Sequence, residues 1–109
     1  MKKDPKLYLG HIIEAINRIN KYTKGLSKDE FLKNNLVKDA TVRNIEIIGE
    51  AVKNLPDDFK KKHKEIPWKD IAGMRDRIAH FYFGIDYGLV WDTIEKDIPE
   101  LKKKIQKLI

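Results

Sequence analysis

Arginine usage marks one short segment of the chain as a place where chemistry could occur. Only four of the 23 basic residues are arginine, and two of these, Arg75 and Arg77, stand just before His80 and Tyr82. A guanidinium group is a planar fork that can bind phosphate through two hydrogen bonds, whereas the lysine ammonium is a point charge. Histidine titrates near neutral pH and can transfer protons. The pattern Arg75-x4-His80-x-Tyr82 therefore contains the residue types that phosphate chemistry needs.

The spacing alone also permits a structural interpretation. Arg75 could pair with a carboxylate, His80 could bond a carbonyl at a helix end, and Tyr82 could lie in the core. On an ideal helix, five residues at about 100° each place Arg75 and His80 roughly 140° apart. The two side chains then share a face only if the helix distorts or ends near Ala79, unless two copies of the segment form one composite cleft in a dimer. Tyr82 would nearly align with Arg75 if the helix continued.

Helices must position this segment, because apolar residues recur at helical spacing along the whole chain. The pattern predicts a helix over about 5–24, a short one after the capping box at Ser27, and others over about 36–55, 68–79 and from 86 onward. Pro99 should kink the last helix without stopping it. Apolar residues cover more than half of the 36–55 helix, which is therefore buried on two sides, centrally in the bundle or at a subunit interface. Gly49 on this helix would let a neighbouring backbone approach closely.

Length and composition predict one domain over residues 1–109, folded as an all-α, antiparallel helical bundle. The absence of cysteine excludes a disulfide scaffold, a cysteine-ligated metal site and a thiol nucleophile. The net charge of +6 is compatible with a polyanion such as RNA, or with a lysine-rich solvated surface. The basic run Lys60–Lys64 is interpreted in the same two ways, as a solvated loop or frayed helix, or as a phosphate-contacting patch. No apolar run or secretory signal indicates a membrane, so a cytoplasmic protein is expected.

The residues from Ile66 to Phe83 closely resemble the motif segment of HepT-like toxins, a branch of the HEPN superfamily. Arg43–Ala51 upstream, and Asp86-Tyr87 with Val90-Trp91 downstream, are similar to the same family. The resemblance covers nearly the whole chain in order. It implies a HEPN-type bundle of four or five helices that forms a homodimer.

The activity that this resemblance implies is that of a metal-independent endoribonuclease acting on RNA, with tRNA as the expected substrate. Arg75 and His80 are then the expected catalytic residues, and no metal or other cofactor is expected. Asp76 would orient His80 or pair with a surface lysine. Arg77 would contact the RNA backbone or remain an exposed charge. RNA supplies its own nucleophile, the 2′-hydroxyl, so the expected products are a 2′,3′-cyclic phosphate and a 5′-hydroxyl.

The resemblance also implies a partner. HepT-like toxins belong to type VII toxin–antitoxin pairs, whose antitoxin is an MntA-like minimal nucleotidyltransferase. The partner, not this chain, uses ATP and transfers AMP to the motif tyrosine, which is Tyr82 here. The alternative is a catalytically inactive HEPN dimer that binds RNA or docks the transferase. Glu46 and Glu50, four residues apart on one helix, could serve acid–base or metal chemistry, but an ion pair on the helix face or a dimer contact is favoured.

Overall fold

Helices form most of residues 4–80 and 84–109, which are the part of the chain described by the structure, a computed structural model. In chain order the elements are α1 (Pro5–Thr23), α2 (Lys28–Lys33), α3 (Asn35–Asn54), α4 (Asp57–Lys62), α5 (Trp68–Ala72), α6 (Met74–Ile78), β1 (Ala79–His80), β2 (Gly84–Ile85) and α7 (Tyr87–Gln106). The prediction of an all-α bundle is confirmed. The helix predicted over 68–79 differs in detail, because it is divided at Gly73 and ends at Ile78.

Polar side chains fix where the helices begin. Ser27 and Glu30 form a capping box at α2, in which each side chain accepts a hydrogen bond from the other residue's backbone N–H. The hydrogen bond from the Ser27 backbone N–H, followed by the effect of the Ser27 side chain, lowers the pKa of the Glu30 carboxyl. At α3 the side chain of Asn34 accepts a hydrogen bond from the backbone N–H of Val37, and at α7 that of Asp86 accepts one from the backbone N–H of Leu89, each at 3.0 Å. Each such cap stabilises its helix by about 1 kcal/mol.

The core lies where α1, α3 and α7 bring their apolar stripes together. Its fully buried side chains include Leu9, Ile12, Ile16, Ile19, Ile45, Ile48, Val90, Ile98 and Ile105. Helix α3 is central, because it packs along α1 and also against α2, α5 and α6. This position accounts for its burial on two sides. Pro99 lies inside α7, which continues to Gln106, so the prediction that this proline does not stop the helix is confirmed.

Gly49 lets the backbones of α3 and α5 approach each other closely. A Cβ atom at Gly49 would lie 3.2 Å from the carbonyl oxygen of Ala72, closer than ordinary van der Waals contact. Gly49 is buried within α3. The prediction that this glycine admits a neighbouring backbone is confirmed.

Substitution at Gly49 should therefore affect stability differently from substitution at an unhindered helical glycine. Gly10 lies in α1, and a Cβ atom added there would meet no neighbouring heavy atom within 4 Å, so Gly10→Ala should raise the free energy of unfolding by about 0.5–1 kcal/mol. Gly49→Val should lower it by about 1–3 kcal/mol, because the added methyl groups meet fixed backbone. Urea unfolding followed by circular dichroism measures both. Equal stability of the two variants would contradict the close approach.

Candidate active site

The break between α5 and α6 places the charged segment at the surface. Met74 and Ile78 are 3% and 1% exposed, and they fix α6 in the core because they lie one turn apart on its inner face. The residues between them face solvent, and they are Arg75, Asp76 and Arg77. Burial of the two apolar side chains therefore leaves the three charged side chains between them exposed at the surface.

Helix α6 is followed directly by a short two-stranded antiparallel ribbon, formed by β1 and β2. Ala79 has extended backbone angles (φ −94°, ψ 127°), and His80 pairs with Gly84 in the antiparallel ribbon. The backbone N–H of Asp86 donates a hydrogen bond of 2.7 Å to the carbonyl of Ile78, which closes the ribbon at its base. The helix thus ends near Ala79, as one of the sequence-based alternatives required. The alternative in which the helix continues past Ala79 is wrong, whereas the alignment of Tyr82 with Arg75 concerns a residue outside the described ones.

Two of the predicted functional groups lie outside the described residues. These are the side chain of His80 and the whole of Tyr82. The backbone of His80 is described, and it follows directly after α6. The roles of His80 in proton transfer and of Tyr82 in modification therefore stay predictions.

The guanidinium group of Arg75 lies against α3. Its Nε is 3.7 Å from Oε1 of Glu46, whose other oxygen lies 3.8 Å from Nη1 of Arg43. The same Arg43 atom is 3.9 Å from Oε1 of Glu50. Glu46 and Glu50 thus form ion pairs on the helix face, as predicted. The side chain of Arg75 is 51% exposed, so its ion pair contributes at most about 1 kcal/mol and leaves the guanidinium accessible to a phosphate.

A surface depression of about 280 Å³ surrounds this guanidinium, and we call it the Arg75 depression. It lies between α3 and the α5–α6 segment, and its lining residues are Glu46, Gly49, Glu50, Lys53, Ala72, Arg75 and Asp76. The structure therefore brings Asp76 to the same site as Arg75. Three carboxylates face two cations in this lining, so its net charge does not by itself attract a polyanion.

Arg77 faces a different part of the surface. Its Nη2 donates a hydrogen bond of 3.3 Å to the carbonyl oxygen of Asp70. It lines a cleft of about 120 Å³ between the α5–α6 segment and α7, together with Asp97 and Glu100. The structure does not bring Arg77 into the Arg75 depression. Its contact with an RNA backbone remains a prediction.

Tyr87 connects the start of α7 to α3. Its hydroxyl donates a hydrogen bond of 3.3 Å to Oδ1 of Asp39, and Nζ of Lys38 lies 4.5 Å from the centre of its ring. Burial, followed by the negative charge of Asp39, raises the pKa of Tyr87. These contacts hold the start of α7, which follows the second strand of the ribbon, against α3.

The described residues lack two features that bear on the predicted cofactors and partners. Among the described side chains, which do not include that of His80, no three of His, Asp or Glu are grouped as metal ligands. No helix within 4–80 and 84–109 is long and apolar enough to cross a bilayer. The metal independence of the reaction stays a prediction, because it concerns chemistry and not only this part of the chain.

Comparison with known proteins identifies the family. The family model for HepT-like ribonucleases matches residues 12–108, nearly the whole chain. The chain belongs to the HepT-like ribonuclease family. The resemblance seen in the Arg75–Tyr82 segment is thereby confirmed, and ribonuclease is the class of enzyme.

Three relatives illustrate how similar this HepT-like chain is to other members. It is 48% identical to a candidate RNase of Caldanaerobacter subterraneus subsp. tengcongensis, over 98% of this chain and 96% of that protein. It is 47% identical to a probable ribonuclease HepT of Thermococcus cleftensis, over 99% and 98% of the two chains. It is 50% identical, over its whole length, to a Methanocaldococcus jannaschii protein named as a gamma-glutamylcyclotransferase and candidate RNase, of which it spans 49%. No solved structure matches.

The pairing of Arg75 with Glu46 is the feature of the HepT-like site that sequence reasoning missed. Glu46 was expected to form an ion pair or a dimer contact, but no periodicity links it to a residue so far along the chain. Gly49 was the available signal. It lies about one turn after Glu46 and meets Ala72, which lies about one turn before Arg75.

Proposed function

We propose that this HepT-like chain is a metal-independent endoribonuclease, the toxin of a type VII toxin–antitoxin system in the cytoplasm, with tRNA as its expected substrate. The observation that carries the proposal is the exposed guanidinium of Arg75, held only loosely by Glu46 in a surface depression at the start of α6. The family and its named relatives support a ribonuclease. The same residues could not be assigned to catalysis from their spacing alone.

In this proposal Arg75 binds the phosphate that is cleaved. The incoming phosphate replaces the carboxylate of Glu46, and the guanidinium then stabilises the negative charge that develops on the phosphorane oxygens. His80 takes the proton from the 2′-hydroxyl or gives one to the leaving 5′-oxygen. Asp76, on the turn before His80, positions the imidazole, and Arg77 contacts the RNA backbone from its own cleft.

The reaction needs both a general base and a general acid, and one chain offers one histidine in this segment. We therefore propose that two copies form a homodimer in which each supplies its Arg75–His80 segment to a composite cleft. The products are a 2′,3′-cyclic phosphate and a 5′-hydroxyl, because the 2′-oxygen is the nucleophile and the 5′-oxygen leaves. An MntA-like nucleotidyltransferase silences the enzyme by transferring AMP to Tyr82.

Cleavage of total tRNA in excess EDTA tests this function. Wild-type protein should cleave, whereas His80→Ala should cleave at least about 10²-fold more slowly, because a positioned proton-transfer group contributes about 10²–10⁴-fold. Chromatography of the products should show cyclic phosphate ends. Equal cleavage by both proteins would assign the activity to a contaminant or to a catalyst elsewhere. No cleavage by either, with intact mass showing unmodified Tyr82, would favour the inactive HEPN dimer that binds RNA or docks the transferase.

A further inference from the structure

A second cavity adjoins the Arg75 depression and has the opposite charge balance. It has a volume of about 500 Å³ and lies between the end of α3, α4 and the start of α5. Its rim carries the lysines Lys53, Lys60, Lys61, Lys64 and Lys69. We call it the lysine pocket. Among its described lining residues the one carboxylate is Asp57, which lies 3.7 Å from Nζ of Lys60.

The floor of the lysine pocket is apolar and firmly held. Its apolar lining includes Val52, Ile66 and Trp68, which are 1%, 2% and 9% exposed. The indole Nε1–H of Trp68 donates hydrogen bonds to the carbonyls of Lys60 (3.2 Å) and His63 (3.0 Å), which ties α5 to the end of α4. Nζ of Lys60 donates in turn to the carbonyl of Val52 at 3.3 Å. The pocket is therefore preformed by packing and not by flexible side chains alone.

The two sites are continuous, because Lys53 and Ala72 line both of them. The Arg75 depression holds more carboxylates than cations, whereas the lysine pocket holds five cations and one carboxylate. A polyanion that reaches Arg75 therefore gains most of its electrostatic attraction next to that residue and not at it. The volume of the lysine pocket lies within the range of about 300–1,000 Å³ typical of small-ligand sites.

We propose that the lysine pocket is a subsite for one nucleotide of single-stranded RNA, next to the phosphate that is cleaved. The lysines bind the backbone phosphates, and the nucleobase packs on the apolar floor. Single-stranded RNA fits because its bases are free to turn toward protein, whereas those of a duplex are stacked and paired. The inference rests on the proposed ribonuclease function and names where its substrate gains affinity. It also assigns Lys61 and Lys64 of the basic run to phosphate contact.

Binding of a short 2′-O-methyl RNA tests the subsite apart from catalysis, since this probe lacks the nucleophilic hydroxyl and cannot be cleaved. The test variant is Lys61→Gln/Lys64→Gln, which removes two exposed charges and leaves the structural contacts of Lys60 intact. The matched control is Lys21→Gln/Lys24→Gln, with the same spacing at the end of α1. Fluorescence anisotropy over a range of salt concentrations gives the affinity and its salt slope.

The test variant should bind the probe about tenfold more weakly than wild type near 0.1 M salt, and its log–log salt slope should be shallower by about 1.4, since each single-strand phosphate contact contributes about 0.7. The control should stay within about twofold of wild type. Equal losses in both variants would show general charge attraction and overturn the subsite, as would a wild type that does not bind the probe. Displacement of the probe by equimolar 5′-AMP would replace RNA with a free mononucleotide as the occupant.

Cleavage assays on the same proteins separate this inference from the function on which it rests. If the wild type cleaves tRNA and Lys61→Gln/Lys64→Gln binds the 2′-O-methyl RNA as well as the wild type does, the subsite alone is overturned. Lysine-dependent binding of the probe without cleavage by the wild type overturns the ribonuclease function and leaves an RNA-binding site. Thermal unfolding of each variant confirms that the substitutions have not altered the fold.

Discussion

Replacing Arg75 with alanine is expected to lower the rate of RNA cleavage by about 10²–10³-fold, the usual effect of removing one group that stabilises transition-state charge. The fold should be unaffected, because the side chain is half exposed and its ion pair with Glu46 contributes little. Arg75→Lys should recover only part of the activity, since lysine restores the charge but not the fork that binds two phosphate oxygens. Initial rates on a defined RNA in EDTA measure all three proteins.

Arg18→Ala is the matched control for Arg75. Arg18 also pairs with a glutamate on the surface, Glu14, at 3.1 Å, and its side chain is 46% exposed. It lies on α1, outside the linings of the Arg75 depression and the lysine pocket. Its substitution should leave cleavage within about twofold of wild type, as expected for a surface change remote from the site. If Arg75→Ala and Arg18→Ala behave alike, Arg75 has no role in the reaction.

Replacing Tyr82 with phenylalanine is expected to leave RNA cleavage in place and abolish silencing by the transferase. In the proposed reaction the phenolic oxygen attacks the α-phosphorus of ATP, pyrophosphate leaves, and the phenol proton is lost. Phenylalanine has no oxygen to attack, so no bond to AMP can form. The measurement is residual ribonuclease activity after incubation with the MntA-like partner, ATP and Mg²⁺, with intact mass to count AMP groups on each chain.

Tyr22→Phe serves as the control for this experiment. Tyr22 is a surface tyrosine at 37% exposure near the end of α1. This variant should gain one AMP group and lose its activity, as the wild type does. Silencing of Tyr82→Phe with no modification on any residue would show that the partner inhibits by binding alone, and the AMP-transfer proposal would then fail.

The long helices could be predicted because their apolar residues recur over many turns. The break at Gly73 could not, since five residues on either side are too few to show a change of phase. The ribbon could not either, because two-residue strands leave no room for the alternation that marks a strand. Gly84, with φ +78°, is the one described residue there whose conformation favours glycine. The sequence could not show this, because the conformation is tied to the pairing of Gly84 with His80.

For the candidate site, the sequence predicted the main residue but not its partner in the fold. The scarcity of arginine and the family resemblance pointed to Arg75, and the structure places it at an accessible surface. The partner Glu46 was not predictable as such, because the pairing depends on how α3 packs against α5. The run Lys60–Lys64 was left open between solvent and phosphate for a related reason. A run of lysines has the same sequence pattern whether or not an apolar surface lies beside it in the fold. Only the packing of α5 against α4 shows that Trp68 lies beside this run.

The contact between Gly49 and Ala72 sets more than the spacing of two helices. Glu46 and Arg75 each lie about one turn from this contact. A small tilt of α3 relative to α5 at Gly49 would therefore move the Glu46 carboxylate relative to the Arg75 guanidinium. Changes at position 49 should therefore impair the ribonuclease as well as lower the free energy of unfolding, because Gly49 also lines the Arg75 depression.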